Sequence, residues 1–406
     1  MKNQLPHLLT ILCFLLVLSS CEEDIDGDIA STADGYHRAE GAFSLDAGGS
    51  SGGSSTGVNG NGEETEAGVI TAGEWNDLEN WSFWNSIIEK DTFSKAKSFW
   101  GFFPENRYAF SFADKNLLPI VDATVKLVSG NEIIWETKTD NFGNAELWGG
   151  MFAQQKSTVN KVNITVSGDI YEFDDFYPYN GTRKDIILPI QIEQKSTNVD
   201  LAFVVDATGS MSDELEYLKT ELLDVINRIE TNNTSLKLKM GTVFYRDEGD
   251  EYVTKVSNIS DDKMKSIDFI KKQKADGGGD YPEAVHTALS DAVSQLSWST
   301  EARARILFLI LDAPPHHENE TVKKQIQEQT QKAAEKGIKI IPITASGIDK
   351  DTEFLMRFIS IATNGTYVFI TNHSGIGNDH IEATVGEYEV EYLNDLMVRL
   401  IGKYTL

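Results

Sequence analysis

Asp206, Thr208 and Ser210 stand at alternate positions in Asp206-Ala207-Thr208-Gly209-Ser210-Met211-Ser212. A carboxylate and two hydroxyls on one tight loop are the oxygen donors that hard divalent cations prefer. Two further carboxylates extend the candidate set. Asp312 follows the apolar run Ile306 to Leu311, and Asp280 lies in Asp276-Gly277-Gly278-Gly279-Asp280-Tyr281-Pro282-Glu283, a glycine-rich loop expected to open a helix at Pro282. The competing reading is capping: loop capping for Asp206, Thr208, Ser210 and Asp312, and a helix N-cap ahead of Pro282 for Asp280. Asp247, in Tyr245-Arg246-Asp247 at the end of a strand, is a candidate for orienting metal-bound waters from the second shell of ligands. The acidic run through Glu251 reads equally as a solvated hairpin turn. His316 and His317, just past Asp312, invite a zinc reading that an oxygen cup does not need.

These residues need a frame that brings three loops together. Leu201 to Val205 is an unbroken apolar run, expected as a strand buried on both faces. Leu215, Leu218, Leu222, Val225, Ile226 and Ile229 then recur at helical spacing. Leu238 to Tyr245 reads as a strand, with Glu251 to Val256 forming a hairpin beside it. Strands follow at 306–311, 338–343 and 366–370. Helices are expected at 325–336, closed by Gly337 as a left-handed cap, at 352–362 and at 390–401. Strand and helix in alternation imply an α/β fold, a doubly wound and mostly parallel sheet with helices on both faces. Such sheets bind ligands beyond the carboxyl ends of their strands, where the strand order reverses. The candidate oxygens fall at such ends.

The order Asp206-x-Thr208-x-Ser210, then Asp280, then Asp312 in Leu309-Ile310-Leu311-Asp312-Ala313-Pro314-Pro315-His316 resembles the von Willebrand factor A family over residues 197–404. In that family the metal-ion-dependent adhesion site reads Asp-x-Ser-x-Ser, a Thr on a second loop and an Asp on a third. Here Thr208 replaces the first Ser, and Asp280 stands where the Thr is expected. The resemblance implies Mg²⁺, with Mn²⁺ or Ca²⁺ as alternatives. It also implies a protein partner whose acidic side chain fills an open metal position. Three carboxylates around one ion would weaken that preference for an acidic ligand.

Ahead of this region, residues 108–191 alternate like short strands: Ala123 to Val128, Ile133 to Thr137, Ala145 to Trp148, Val162 to Val166 and Asp185 to Ile190. Asp140-Asn141-Phe142-Gly143 is a turn signal among them. A small all-β sandwich is expected. Pro119 to Leu147 is similar to the transthyretin-like regulatory modules of carboxypeptidases, which implies spacing or docking. Residues 69–107 are rich in Trp and Phe, suited to packing a region with little else to bury, or to binding a sugar or protein surface. Thr71 to Leu78 resembles an element found ahead of von Willebrand A domains in bacterial surface proteins. Residues 21–68 read as a flexible tether, because Gly48 to Gly62 carries almost no apolar side chains.

Residues 1–20 read as a signal peptide, with Lys2 and the apolar stretch Leu8 to Leu18, too short to span a bilayer. Leu18-Ser19-Ser20-Cys21 resembles a bacterial lipobox, which implies lipidation of Cys21. The chain has 2 cysteines, Cys13 and Cys21, and Cys13 leaves with the signal, so the remaining thiol fits an anchor. Glu22-Glu23-Asp24 resembles the surface-export signal of lipoproteins from Bacteroidota-like bacteria. The expected place is the cell envelope, as a surface-exposed outer-membrane lipoprotein. A net charge of -27 argues against nucleic acid, which calls for a basic face. The expected function is an envelope-anchored, metal-dependent protein-binding module and not an enzyme. His317-Glu318-Asn319-Glu320-Thr321 lacks the second His of a zinc-protease helix. A structural subunit of an envelope assembly and a metal-dependent hydrolase are the alternatives.

Overall fold

The computed structural model describes residues 56–58, 64–153, 157–192, 196–232, 235–377 and 379–405. The expected signal peptide, Cys21 and most of the tether lie outside them. Eight strands make one mixed sheet. In chain order they are β1 (Thr71–Trp75), β2 (Asn198–Asp206), β3 (Lys237–Tyr245), β4 (Thr254–Ser260), β5 (Ala304–Leu311), β6 (Ile338–Thr344), β7 (Tyr367–Ile370) and β8 (Val390–Tyr392). Across the sheet the order is β4-β3-β2-β5-β6-β7-β1-β8. Strands β3, β2, β5, β6 and β7 are parallel, while the pairs β4 with β3, β1 with β7 and β8 with β1 are antiparallel.

The apolar runs explain the layering. Every residue of β5 and β6 is buried. Leu201, Phe203 and Val205 of β2 enter a core shared with α3 (Ser212–Asn232), α4 (Lys263–Lys271) and α8 (Leu393–Thr405). Ala202 and Val204 enter the opposite core, shared with α5 (Val285–Ser290), α6 (Glu320–Lys336) and α7 (Lys350–Ala362). Alternate side chains of a strand face opposite sides, so a continuous apolar run is what a sheet covered twice requires. Each fully buried Leu, Ile or Phe contributes roughly 1.5–3 kcal/mol. The chain passes from β2 to β3 on one side and reaches β5 on the other. The order therefore reverses at the β2–β5 pair, beneath the candidate loops.

Two smaller sheets share the α5–α7 core. One has the order Lys184–Ile187, Arg107–Ala113, Asn144–Trp148, and the other Glu132–Lys138, Thr124–Ser129, Lys161–Val166, Asp169–Phe173. They form the expected sandwich, with two strands, Arg107–Ala113 and Asp169–Phe173, that the alternation did not mark. All pairs within them are antiparallel except Lys184–Ile187 with Arg107–Ala113. The turn at Gly143 holds φ at 78°, and a Cβ there would lie 2.3 Å from the Phe112 carbonyl oxygen, so glycine is required. The sandwich is bolted to the large sheet. Arg305 donates to both Asp122 oxygens at 2.7 and 3.1 Å, and Lys339 Nζ lies 3.4 Å from Asp140 Oδ2.

Residues 69–107 are divided between these parts. Strand β1 enters the large sheet. Helices α1 (Trp81–Ile88) and α2 (Asp91–Trp100) follow, and Trp84 meets Phe358 of α7 at 5.6 Å while Trp81 meets Trp148 of the sandwich at 5.8 Å. Trp81, Trp84, Trp100 and Phe102 are buried and act as packing. The predicted helix at 390–401 is corrected at its start. Val390–Tyr392 is a strand, because β1 presents an open edge that it pairs, and α8 begins at Leu393. The helix expected from Pro282 begins only at Val285. The segment read as tether also ends in structure: Thr56–Val58 pairs with Glu64–Glu66, and Glu221 of α3 accepts the N–H groups of Gly68, Val69 and Ile70 at 3.0, 3.1 and 3.3 Å.

Candidate metal centre

Strands β2 and β5 run side by side with Val205 opposite Ile310, so Asp206 and Asp312 leave the same rim together. Asp206 is fully buried and Asp312 is 4% exposed. The loop after β2 folds back on its own carboxylate. The Thr208 N–H and Thr208 hydroxyl both donate to Asp206 Oδ1, at 2.9 and 2.7 Å. Thr208 Oγ1 lies 3.0 Å from Ser210 Oγ, and Ser210 stands beside Asp312, where its hydroxyl lowers the carboxyl pKa against the effect of burial. Buried Met211 pins the loop, and α3 starts at Ser212. Four of the five expected ligands thus gather at one rim, Asp206, Thr208 and Ser210 in one hydrogen-bonded chain with Asp312 beside them.

Each carboxylate of the cup keeps an oxygen in reserve. Asp206 Oδ2 and Asp312 Oδ1 are buried and make no hydrogen bond, although the buried Tyr245 hydroxyl, itself without one, lies beside Asp206. Both carboxyl pKa values are raised by burial, and that of Asp206 is raised further by the Asp312 charge beside it. A buried, unpaired carboxylate costs several kcal/mol unless it is protonated or meets a cation. Two reserved carboxylate oxygens beside two hydroxyls match the hard-oxygen donor set of Mg²⁺ or Ca²⁺. The residues present fit the ion.

Asp280 does not join them. It is exposed, as are Gly279 and Tyr281, and it caps no helix, since α5 is preceded by Ala284. The glycine loop is pinned at both ends, and the residues between face solvent. At one end Gly209 N–H donates to Gly277 O at 3.0 Å and Asp276 N–H to Ala207 O at 3.1 Å. Gly278 holds φ at 71°, and a Cβ there would lie 2.9 Å from Glu283 Oε1 and 3.2 Å from Thr208 Cβ. At the other end Glu283 N–H donates to Pro314 O at 2.8 Å. The buried carboxylate of this loop is therefore Glu283, 3% exposed, with Oε2 unpartnered. Burial first, and then the charges of Asp206, Asp247 and Asp312, push its pKa up to about 9. Its position three residues beyond Asp280, after the rigid Pro282, is the signal that sequence reasoning passed over. Among the described residues, no three His, Cys, Asp or Glu side chains stand close enough to hold an ion between them. The cup is two carboxylates and two hydroxyls, with Glu283 outside it.

Asp247 is buried, and its Oδ1 lies 2.5 Å from His316 Nε2, which fixes both side chains. Its N–H donates to Asp250 Oδ2, which also accepts from Gly278 N–H at 2.9 Å. His317 is spent elsewhere, with Nδ1 3.1 Å from Pro315 O and its ring edge-on to Phe99 and Trp100. Among the described residues neither histidine stands in a group of three His, Cys, Asp or Glu that could hold a metal.

Residues 200–375 match the family model described as the von Willebrand factor A domain. This part of the chain is a von Willebrand A domain. An ariadne-like RING finger protein of Acanthamoeba polyphaga mimivirus is 36% identical over 121 residues, 30% of this chain and 12% of that protein. The alpha-protein kinase vwkA of Dictyostelium discoideum is 26% identical over 172 residues, 42% of this chain and 26% of its own. The matched stretches are thus a minor part of both relatives. The crystal structure of the conserved hypothetical protein BatB from Bacteroides thetaiotaomicron is similar at 15% identity and a TM-score of 0.35, covering 51% of this chain and 98% of that one. In the present von Willebrand A domain the sheet extends past the matched span: β1 enters from ahead of the sandwich, and β8 and α8 close the far edge.

Proposed function

We propose that this chain is a metal-ion-dependent protein-binding module, held at the cell envelope through Cys21. The metal is Mg²⁺, with Mn²⁺ or Ca²⁺ able to replace it, and Asp206, Thr208, Ser210 and Asp312 hold it. The observation that carries the reading is the pair of reserved oxygens, Asp206 Oδ2 and Asp312 Oδ1, buried without partners at the reversal point of a parallel sheet. When bound, the ion supplies a Lewis-acidic position that a partner's oxygen can complete. The chain's own residues do the rest. Thr208 orients Asp206 through two hydrogen bonds, Ser210 stands between Thr208 and Asp312, and the Asp247–His316 pair braces the neighbouring loop.

Binding is favoured over catalysis because the sequence carries no Gly-x-Ser-x-Gly elbow and its zinc-protease-like run lacks the second His. The envelope location rests on the sequence: the apolar stretch Leu8 to Leu18, the Leu18 to Cys21 motif and the acidic run Glu22-Glu23-Asp24. Among the described residues no helix is long and apolar enough to cross a membrane. The test is capture from envelope extract by wild type and Asp206→Ala, with Mg²⁺ or with EDTA. Capture of a protein that is lost in both the variant and EDTA supports the proposal. Capture indifferent to both assigns the interaction to another surface. Palmitate labelling of wild type but not Cys21→Ser tests the anchor.

A further inference from the structure

We infer that the partner presented to this metal site is a basic protein segment, offering Lys or Arg side chains around a neutral oxygen in place of a carboxylate. This rests on the metal reading above and names its partner class. The loops at the β2–β5 rim are residues 206–213, 246–253, 272–284, 312–319 and 345–349. They meet through the contacts of Gly209 with Gly277, Glu283 with Pro314 and Tyr281 with Gly347. Together they carry twelve Asp or Glu and three Lys or Arg, whereas the whole chain carries 63 and 36. The acidity is therefore local to the mouth and exceeds the bulk of the chain.

Its three cations, exposed Lys272 and Lys274 and buried Arg246, are outnumbered by the carboxylates. Arg246 is buried, faces Glu251 at 4.0 Å and Asp276 at 3.7 Å, and donates to Lys274 O. Asp213, Glu248, Asp280 and Glu318 remain exposed around the cup. One divalent ion offsets only two charges, so the mouth stays negative with the ion in place. An incoming carboxylate would meet like charges within a screening length of about 8 Å. A Lys or Arg would meet complementary ones. The buried unpaired oxygens of Asp206 and Asp312, which the ion would occupy, fix the point on this face at which the partner's oxygen would arrive. Tyr281, 44% exposed with its hydroxyl on Gly347 O, adds a ring at the rim on which a cation can rest.

The test uses the full chain in saturating Mg²⁺ and fluorescein-labelled oligolysine and oligoglutamate, read by anisotropy. Two double variants remove equal charge. Asp213→Asn with Asp280→Asn acts at the rim, while Glu387→Gln with Glu389→Gln acts at a separate cavity lined by Trp75 and Arg399. The expected result is binding of oligolysine, weakened about fivefold by the rim variant and unchanged by the other. Equal weakening by both variants reduces the effect to bulk charge and overturns the inference, as does binding of neither peptide. Preferential binding of oligoglutamate also overturns it while leaving the metal reading intact. Absence of Mg²⁺ uptake in calorimetry defeats the metal reading itself.

Discussion

Two buried carboxylate clusters in this molecule face opposite fates. Glu146, in the sandwich, has a side chain with 0% exposure and is held by Arg107 at 2.8 and 3.0 Å and by Arg183 at 2.5 Å. Those cations, outweighing its burial, hold its pKa below the ordinary glutamate range. Asp206, equally buried, has one oxygen tied to Thr208 and the other untied, and its pKa is raised. The same side-chain chemistry is thus structural where the chain supplies the cation, and receptive where it does not. Asp77 belongs with Glu146: Arg357 donates to both its oxygens, at 2.9 and 2.6 Å, in a fully buried pair that joins β1's exit to α7.

The contrast can be broken most severely at Glu146. Glu146→Gln leaves two guanidinium groups short of their counter-charge, and urea unfolding should show a loss of about 3–5 kcal/mol. Next comes the ion. Mg²⁺ at about 100 times its dissociation constant should stabilise the wild type by about 2.7 kcal/mol in thermal unfolding, and Asp206→Asn should abolish that gain. In the absence of metal the same Asp206→Asn change should stabilise the fold, by on the order of 1–2 kcal/mol, since it removes a charge that burial and Asp312 disfavour. A destabilised metal-free variant would place Asp206 with Glu146 as a structural group.

The two clusters also titrate with opposite sign. Glu146 has a depressed folded pKa, so its contribution is present above the unfolded glutamate value, near 4.5, and is lost as pH falls through the lower folded value. Asp206 and Asp312 have raised folded pKa values. In metal-free protein they cost stability increasingly as pH climbs from the unfolded value, near 3.8, through the folded ones. Melts of wild type against Asp206→Asn should therefore diverge as pH rises and reconverge with Mg²⁺ for wild type alone. The smallest effect is expected at Asp280→Asn, which should change Mg²⁺ affinity by less than about twofold, a few tenths of a kcal/mol. A larger loss would return Asp280 to the site.

Much of this frame was legible in the sequence because it is written in local pattern. The apolar runs of β2, β5 and β6 need no partner to be recognised, and Gly337 takes its left-handed cap at φ 68° as its place after a helical run requires. The Asp206 to Ser210 loop was legible for the same reason: its hydrogen bonds close within five residues. What escaped was set by distant contacts. Strand β1 was read as part of an aromatic segment, since the edges it pairs with lie at 367–370 and 390–392. Glu221 collects three backbone N–H groups about 150 positions away, which no composition of the tether reveals. Asp280 and Glu283 share one loop and one chemistry. Only the anchoring of that loop on Gly277 and Pro314 decides that the first faces water and the second is buried.

Calorimetric titration of Mg²⁺ into the full chain, beside Asp206→Asn and Asp312→Asn, tests the central claim most directly. The geometry predicts one ion per chain in wild type and none in either variant, with all three proteins folded. Wild-type protein that takes up no Mg²⁺, Mn²⁺ or Ca²⁺, or variants that take it up undiminished, would contradict the assignment of the reserved oxygens of Asp206 and Asp312 to a cation.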